Sequence, residues 1–406
     1  MRVRLALVHL FLGVGCLVLV VGCGPEDEAD AIGLNGDASL ASYQEELLEI
    51  AFGAASAMPV DPHIKNRSRL QETVVAACLS LEQPQRAVRY AEQIHDWRRG
   101  AAYADLALFY AQRRLDSYVQ PLLDQAAEIA AGEEDWRKER IRVKIAQVHA
   151  LMGRVEMATR FEQGVEPAER GKVARIEVRI AAPDSFDEQM EALTTLIDTQ
   201  QFDIVRNALA ACVELFNRFY DDLDCRTQAE DKIKASWGSL PVFVRIELLM
   251  ELANASLAHA DSAKALALLD EAKNFVESPR WQPQSIIPLM AQLARLRFRA
   301  GDEAGARAEA ERALDLFGAK RDTIVNIYRA QTLRPIAEAY YAMGDTAAAL
   351  DLYKRAVEAG MENPNARPRA DDLVATCCSL ALHAVEPDAV LASRIREIQA
   401  GLGDPW

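Results

Sequence analysis

The sequence predicts an all-α protein built from repeated pairs of helices. Helix-forming residues dominate the 406-residue chain, which is 50% hydrophobic and 26% charged, and no alternation of strands with helices is found. The clearest unit is residues 333–357, LRPIAEAYYAMGDTAAALDLYKRAV, where two stretches of helical periodicity flank a Gly-Asp turn. Looser copies of this stretch recur along the chain, which predicts a stack of helix pairs.

The N-terminus has the pattern of a processing signal. A short basic region that contains Arg2 and Arg4 precedes an almost wholly apolar run at residues 5–21, and the sequence VVGC ends at Cys23. This end resembles the lipobox of bacterial lipoproteins, whereas Cys16 lacks a large apolar residue three positions before it. The resemblance implies cleavage of a signal peptide at residues 1–22 and a diacylglycerol on the Cys23 thiol.

Two alternatives to lipidation remain at this point. The 17-residue apolar run is at the short limit of what spans a bilayer, so one alternative is an uncleaved anchor, and the other is a cleaved soluble form. Gly24 stands where an Asp would, by family analogy, favour retention in the inner membrane. We therefore expect a lipid-anchored protein of the bacterial cell envelope, on the periplasmic face of the outer membrane.

The chain is acidic after the signal. Without residues 1–22 it would carry 44 Lys and Arg against 61 Asp and Glu, a formal charge of −17. This excess of carboxylates repels a polyanion, so we expect no nucleic-acid partner. Residues 23–39 combine the lipidated Cys with a polar, acidic, Gly-containing stretch, which predicts a disordered tether.

The helix pair at 333–357 resembles the tetratricopeptide repeat. The positions that carry the resemblance are Leu333, Ile336, Ala337, Tyr340, Gly344, Asp345, Ala349, Tyr353 and Ala356. The small residues let two antiparallel helices approach closely. The resemblance covers about residues 64–400, with specific motifs only in 245–360, and it implies a right-handed α-α superhelix of about seven to eight helix pairs.

The spacing of the small residue that opens each second helix predicts the domain organisation. It recurs at positions 87, 119, 158, 205, 265, 306 and 349. Residues 40–220 would be degenerate helical repeats, after a cap helix at 42–58. The 60-residue step from 205 to 265 predicts an irregular joint at 221–242, and residues 243–406 would hold the sharper repeats with a closing helix pair.

No catalytic signature accompanies this architecture. The sequence contains no HExxH, paired CxxC, P-loop, GxSxG or GxGxxG motif, so we expect no enzyme activity, no metal and no cofactor beyond the covalent lipid on Cys23. The alternative is an enzyme or small-ligand receptor with a site built in the groove of the superhelix. A pull-down with the mature protein would separate a scaffold from this alternative.

The cysteines of the mature chain favour structural roles. Cys78 and Cys212 lie in apolar runs and are interpreted as small core residues. A bridge from Cys212 to Cys225 is the alternative for one of them. The adjacent Cys377 and Cys378 point about 100° apart on a helix and cannot both face one partner.

The resemblance also implies a binding surface. In this family the first helix of each pair lines a concave groove. Transferred to this chain, the groove positions are Asn254, Arg295, Phe298, Arg299, Arg334, Glu338 and Tyr341. Arg, Tyr and Phe are residue types that binding hot spots favour, although an exposed Arg on a long helix is also ordinary.

A basic stripe is the second candidate surface. Arg137, Arg140 and Lys144 follow one another on one predicted helix face, where they could contact lipid headgroups or an acidic partner. A solvated helix face is the alternative. We expect, from all of these features, a membrane-anchored scaffold or adaptor that binds proteins or peptide segments in an envelope assembly or regulatory complex.

Overall fold

The computed structural model describes residues 36–182, 184–277 and 281–406. The predicted signal peptide, Cys23 and most of the predicted tether lie outside these residues. The described part of the chain has helices as its only regular secondary structure, which confirms the all-α fold class. Its helices are α1 (Ser42–Ala57), α2 (Val60–Ser80), α3 (Pro84–Ala91), α4 (Arg98–Gln112), α5 (Asp116–Ala131), α6 (Asp135–Leu151), α7 (Val155–Glu162), α8 (Pro167–Ile180), α9 (Phe186–Ile197), α10 (Phe202–Arg218), α11 (Leu223–Ser236), α12 (Val242–Ala258), α13 (Ser262–Val276), α14 (Pro283–Arg299), α15 (Glu303–Lys320), α16 (Asn326–Ala342), α17 (Thr346–Met361), α18 (Ala366–Leu382) and α19 (Ala389–Ala400).

The chain forms two compact units. Unit 1 joins the described residues up to Ile94 with Asn365–Trp406, so helices α1 to α3 belong with α18 and α19. Unit 2 is His95–Pro364 and contains α4 to α17. The boundaries between the units lie at residues 94/95 and 364/365 and not at the predicted joint, 221–242. Helices from the two ends of the sequence pack together in unit 1, which places the boundaries there.

Unit 2 consists of seven helix pairs. We call α4, α6, α8, α10, α12, α14 and α16 the first helices, and α5, α7, α9, α11, α13, α15 and α17 the second helices. Each first helix contacts the next first helix along the chain. Among the described second helices only α9 and α11 make a substantial contact with each other. The first helices thus form the more closely packed row. Successive first helices run in the same direction, because the chain reverses direction twice, once into the second helix and once out of it.

The pair α16 and α17 shows how the sequence produces one repeat. Ala337 and Ala349 are fully buried, and the ring of Tyr353 is buried beside them, so small residues at the contact let the two helices approach closely. Gly344 adopts a φ of +83° in the turn, a left-handed conformation that glycine adopts without steric cost. The predicted register of this repeat is confirmed by these burials.

Aspartates begin four of the second helices. The carboxylates of Asp222, Asp261, Asp302 and Asp345 accept hydrogen bonds from backbone N–H groups in the first turns of α11, α13, α15 and α17. Such caps satisfy donors that have no partner within the helix. Each aspartate therefore fixes the point where the chain turns back on the first helix.

The predicted irregular joint at 221–242 is wrong. This segment holds α11, an ordinary second helix, followed by a short 3-10 helix. The second helices begin at residues 116, 155, 186, 223, 262, 303 and 346, which leaves no 60-residue step. Val205, which was assigned to a second helix, lies in α10, a first helix that contacts α8 and α12.

Unit 1 begins with the predicted cap helix. Helix α1 packs against α18 and α2, and its apolar side chains Leu47, Leu48 and Phe52 are buried. The predicted closing pair corresponds to α18 and α19. Two ion pairs support this packing at the surface, Arg396 with Glu46 and Arg69 with Asp371.

The segment before α1 is attached to the turn between α2 and α3. The carboxylate of Asp37 accepts hydrogen bonds from the backbone N–H of Gln85 at 2.7 Å and of Arg86 at 3.2 Å. The backbone N–H of Ala38 donates to the carbonyl of Glu82 at 2.8 Å. Residues 37 and 38 of the predicted tether thus belong to the folded unit, because Asp37 caps α3.

The described cysteines are not bridged to one another. Cys78, Cys212, Cys377 and Cys378 are buried and Cys225 is partly exposed, so a Cys212–Cys225 disulfide is not formed in this structure. Burial raises the pKa of the Cys212 thiol to about 12, which keeps it protonated and unreactive at neutral pH. The core interpretation of Cys78 and Cys212 agrees with this burial.

Candidate partner-binding groove

The predicted groove residues lie on three successive first helices of unit 2. Asn254 is on α12, Arg295, Phe298 and Arg299 are on α14, and Arg334, Glu338 and Tyr341 are on α16. Since α12 contacts α14 and α14 contacts α16, side chains on one face of these helices can meet.

Two polar contacts join the three helices. The guanidinium of Arg299 donates to the side-chain oxygen of Asn254 at 2.6 Å, which links α14 to α12. The guanidinium of Arg295 donates to the carboxylate of Glu338 at 3.1 Å, which links α14 to α16. The structure therefore brings four of the seven predicted residues into one connected surface.

The electrostatics of Arg299 distinguish it from an ordinary surface arginine. Its side chain is accessible to solvent, yet surrounding protein and the neighbouring Arg295 lower its pKa. Both effects disfavour a positive charge at this place.

The remaining three predicted residues lie on the same first helices, α14 and α16. Phe298, Arg334 and Tyr341 are partly exposed, whereas Glu338 is buried. The seven positions carry three guanidiniums and one carboxylate. We call these seven residues the α12–α16 groove.

The first helices before this groove carry charges that are matched in pairs. Arg175 of α8 lies 3.5 Å from Glu251 of α12, although α10 stands between these helices in the row. The guanidinium of Arg179 donates two hydrogen bonds to the carboxylate of Glu214 on α10, at 3.0 and 3.1 Å. The contact across α10 shows how closely the first helices approach one another on this face.

A further ion pair belongs to the same region. Arg206 of α10 lies 3.3 Å from Glu247 of α12. Burial raises the pKa of Glu247 and of Glu251, and for Glu251 the nearby Glu247 and Glu214 add to the rise. The sequence prediction missed this cluster, although Glu247 and Glu251 stand one turn apart on a first helix and could have indicated it.

The three side chains of the predicted basic stripe contact other residues of the folded chain. Lys144 pairs with Asp105, Arg137 lies 4.0 Å from Glu133, and the guanidinium of Arg140 stands 5.4 Å from the ring centre of Trp97. These contacts favour the interpretation as a structural and solvated helix face. The stripe and the α12–α16 groove lie on different first helices and do not form one site.

The described residues contain no cluster of three or more His, Cys, Asp or Glu side chains arranged to hold a metal ion. His149 is buried and stacks on Phe161 with the ring centres 5.5 Å apart. Burial and the nearby Arg154 lower the pKa of this histidine. We interpret it as a core residue of the α6–α7 pair.

Comparisons with known proteins add little to this geometry. No protein-family profile matches the chain, and no curated protein matches it. Among solved structures it is similar to a circular tandem repeat protein with a novel repeat topology and enhanced subunit contact surfaces. The identity is 13% over 89% of this chain and 94% of that chain, with a TM-score of 0.18.

Proposed function

We propose that this protein is a lipid-anchored scaffold of the bacterial envelope that binds an acidic segment of a protein partner in the α12–α16 groove. The repeat architecture supports the scaffold role, because stacked helix pairs offer an extended surface of first helices. The lipobox-like sequence ending at Cys23 supports the anchor.

The observation that carries the proposal is the pair of guanidiniums on one turn of α14. Arg295 and Arg299 lie close enough for Arg295 to lower the pKa of Arg299, and the next first helix adds Arg334. A carboxylate of the partner would relieve this repulsion and accept forked, charge-assisted hydrogen bonds. The exposed parts of Phe298 and Tyr341 would contact an apolar side chain of the same segment.

The neighbouring first helices also carry arginines. Three of them have carboxylate partners, in the pairs Arg175–Glu251, Arg179–Glu214 and Arg206–Glu247. We expect the ligand's acidic group over α14 and α16, where Arg295, Arg299 and Arg334 lie on two successive first helices.

The test is charge reversal in the groove of the full-length protein. Arg299→Glu combined with Arg334→Glu should abolish the capture of envelope proteins by crosslinking in the membrane fraction, identified by mass spectrometry. Each lost charge-assisted hydrogen bond contributes about 1.5–3 kcal/mol, and repulsion adds to this loss. Capture by the wild type should weaken as the salt concentration rises.

The matched control places the same charge change on second helices. Arg307→Glu combined with Arg355→Glu alters exposed residues of α15 and α17 and should leave capture unchanged. Helicity and melting temperature are measured for all variants. Capture at the wild-type level by the groove variant, or an equal loss in the control, would contradict the assignment of the groove.

A further inference from the structure

Helix α7 is attached to the rest of unit 2 by few side chains. It has eight residues, all of which the structure describes, and Ala158 is the only buried one among them. The ring of Phe161 is half-buried. A helix of this length is not stable by itself in water, so α7 depends on its packing against α6.

Helix α6 holds the C-terminal end of α7 through one guanidinium and one ring. Arg142 donates hydrogen bonds to the backbone carbonyls of residues 160, 161 and 163 at 2.9 to 3.0 Å, where no further turn of helix satisfies them. Two turns further along α6, the ring of His149 stacks on the ring of Phe161 with an angle of 21° between the planes. Arg142 and His149 therefore hold the same end of α7.

The imidazole of His149 lies where a positive charge is disfavoured. The side chain is 2% exposed, and its Nδ1 is shielded from solvent and has no hydrogen-bond partner among the described residues. The imidazolium form carries a proton on both ring nitrogens, so its Nδ1–H would be buried without an acceptor. Burial and the nearby Arg154, which immediately precedes α7, lower the pKa of His149.

The helices around α6 do not compensate a charge on this ring. Helices α4, α5, α7 and α8 pack against α6. Among the side chains that the structure describes on these helices and their turns, Arg154 is the charged group that acts on the imidazole. Nearby carboxylates have other partners, since Asp105 of α4 pairs with Lys144 and Asp124 of α5 accepts a hydrogen bond from Gln120.

From these contacts we infer that α7 is an acid-sensitive element of unit 2, in which protonation of His149 releases α7 from α6. When α7 opens, the imidazole reaches water and takes up a proton at its ordinary pKa of about 6.5. In the closed arrangement the pKa is lower, so opening is coupled to proton uptake. The closed arrangement is therefore fully favoured above about pH 6.5 and is weakened as the pH falls below that value.

Opening of α7 would change the surface of unit 2. Ala158 and Phe161 of α7 pack against an apolar cluster that contains Val143, Ala146 and Ala150 of α6. Without α7 these side chains lose part of their cover. Unit 2 would thus cover this apolar surface at neutral pH and expose it in acid. The α12–α16 groove lies on other helices, so this inference does not depend on the proposed function.

The test is amide hydrogen exchange of the full-length protein, measured by mass spectrometry between about pH 7 and pH 5 and corrected for the intrinsic exchange rate at each pH. Because one proton is coupled to opening, the corrected exchange of α7 should rise up to about tenfold for each pH unit below about 6.5. The pair α16 and α17 contains no histidine and should show a constant corrected exchange in the same samples.

Two variants remove the titrating group. His149→Phe keeps a ring against Phe161 but binds no proton, so the corrected exchange of α7 should no longer depend on pH. His149→Gln is the polar variant, and it should also lose the pH dependence even where α7 is less protected at neutral pH. The matched control is His259→Gln at the end of another first helix, α12, which should retain the wild-type pH dependence.

Three outcomes would overturn the inference. The first is equal protection of α7 at about pH 7 and pH 5 in the wild type. The second is a pH dependence of α7 that persists in either His149 variant. The third is a loss of protection that α16 and α17 share with α7, because this would show unfolding of the whole unit in place of a local opening.

Discussion

Ala260 occupies a position that other repeats of unit 2 give to glycine. It precedes the capping Asp261 and has a φ of +59°, and the equivalent Gly301 and Gly344 have φ values of +89° and +83°. A left-handed conformation costs a non-glycine residue about 1–2 kcal/mol, partly offset by the entropy that glycine loses. We expect Ala260→Gly to raise the free energy of unfolding by up to about 1 kcal/mol, measured in urea.

The control for this substitution lies two residues earlier. Ala258 is exposed at the end of α12, so Ala258→Gly should lower stability by about 0.5–1 kcal/mol through helix propensity alone. If both glycine variants were destabilised equally, the strain assigned to Ala260 would be absent.

Single residues also explain what could not be predicted from the sequence. In α11 the position that carries a small residue in α13, α15 and α17 is Arg226, which pairs with Asp261 at 3.8 Å and stacks on Tyr220. Because Arg226 stands at this position, the spacing of small residues does not reveal α11 as a second helix. The capping residue Asp222 is the feature of the sequence that marks its start.

At the scale of the element, Ala349 tests the packing of α17 against α16. It is fully buried, and Ala349→Leu would force three heavy atoms into a close-packed contact at a cost of about 1–3 kcal/mol. The thermal melting temperature of the full-length protein measures this loss. Ala347→Leu, at an exposed position of the same helix, should change the melting temperature little, and an unchanged value for both variants would show that the register is wrong.

The elements differ in how well their contacts follow from sequence. The helix pair at 333–357 and the adjacency of α12, α14 and α16 were predicted, because each depends on local periodicity and a short turn. The ion pair between Arg175 and Glu251 joins helices that are not neighbours in the row. Such a contact depends on the distance between helices that are two places apart in the row of first helices. No local sequence pattern determines that distance.

At the scale of the whole molecule, the membrane anchor is the main untested prediction. Cys23→Ala should leave an unprocessed precursor that keeps residues 1–22 and gains no diacylglycerol. Metabolic labelling with palmitate measures this directly. Cys16→Ala should retain the label, whereas label that persists in Cys23→Ala would exclude Cys23 as the lipid site.

The attachment of Asp37 to the turn between α2 and α3 sets a limit on reach. Cys23 and Asp37 are fourteen residues apart, and even a fully extended chain spans at most about 3.3–3.6 Å per residue. A lipid on Cys23 would therefore confine this turn to a layer about 50 Å deep above the bilayer. Without the hydrogen bonds of Asp37 the layer would deepen, so in the proposed lipid-anchored protein one carboxylate would limit how far from the membrane the folded chain can reach.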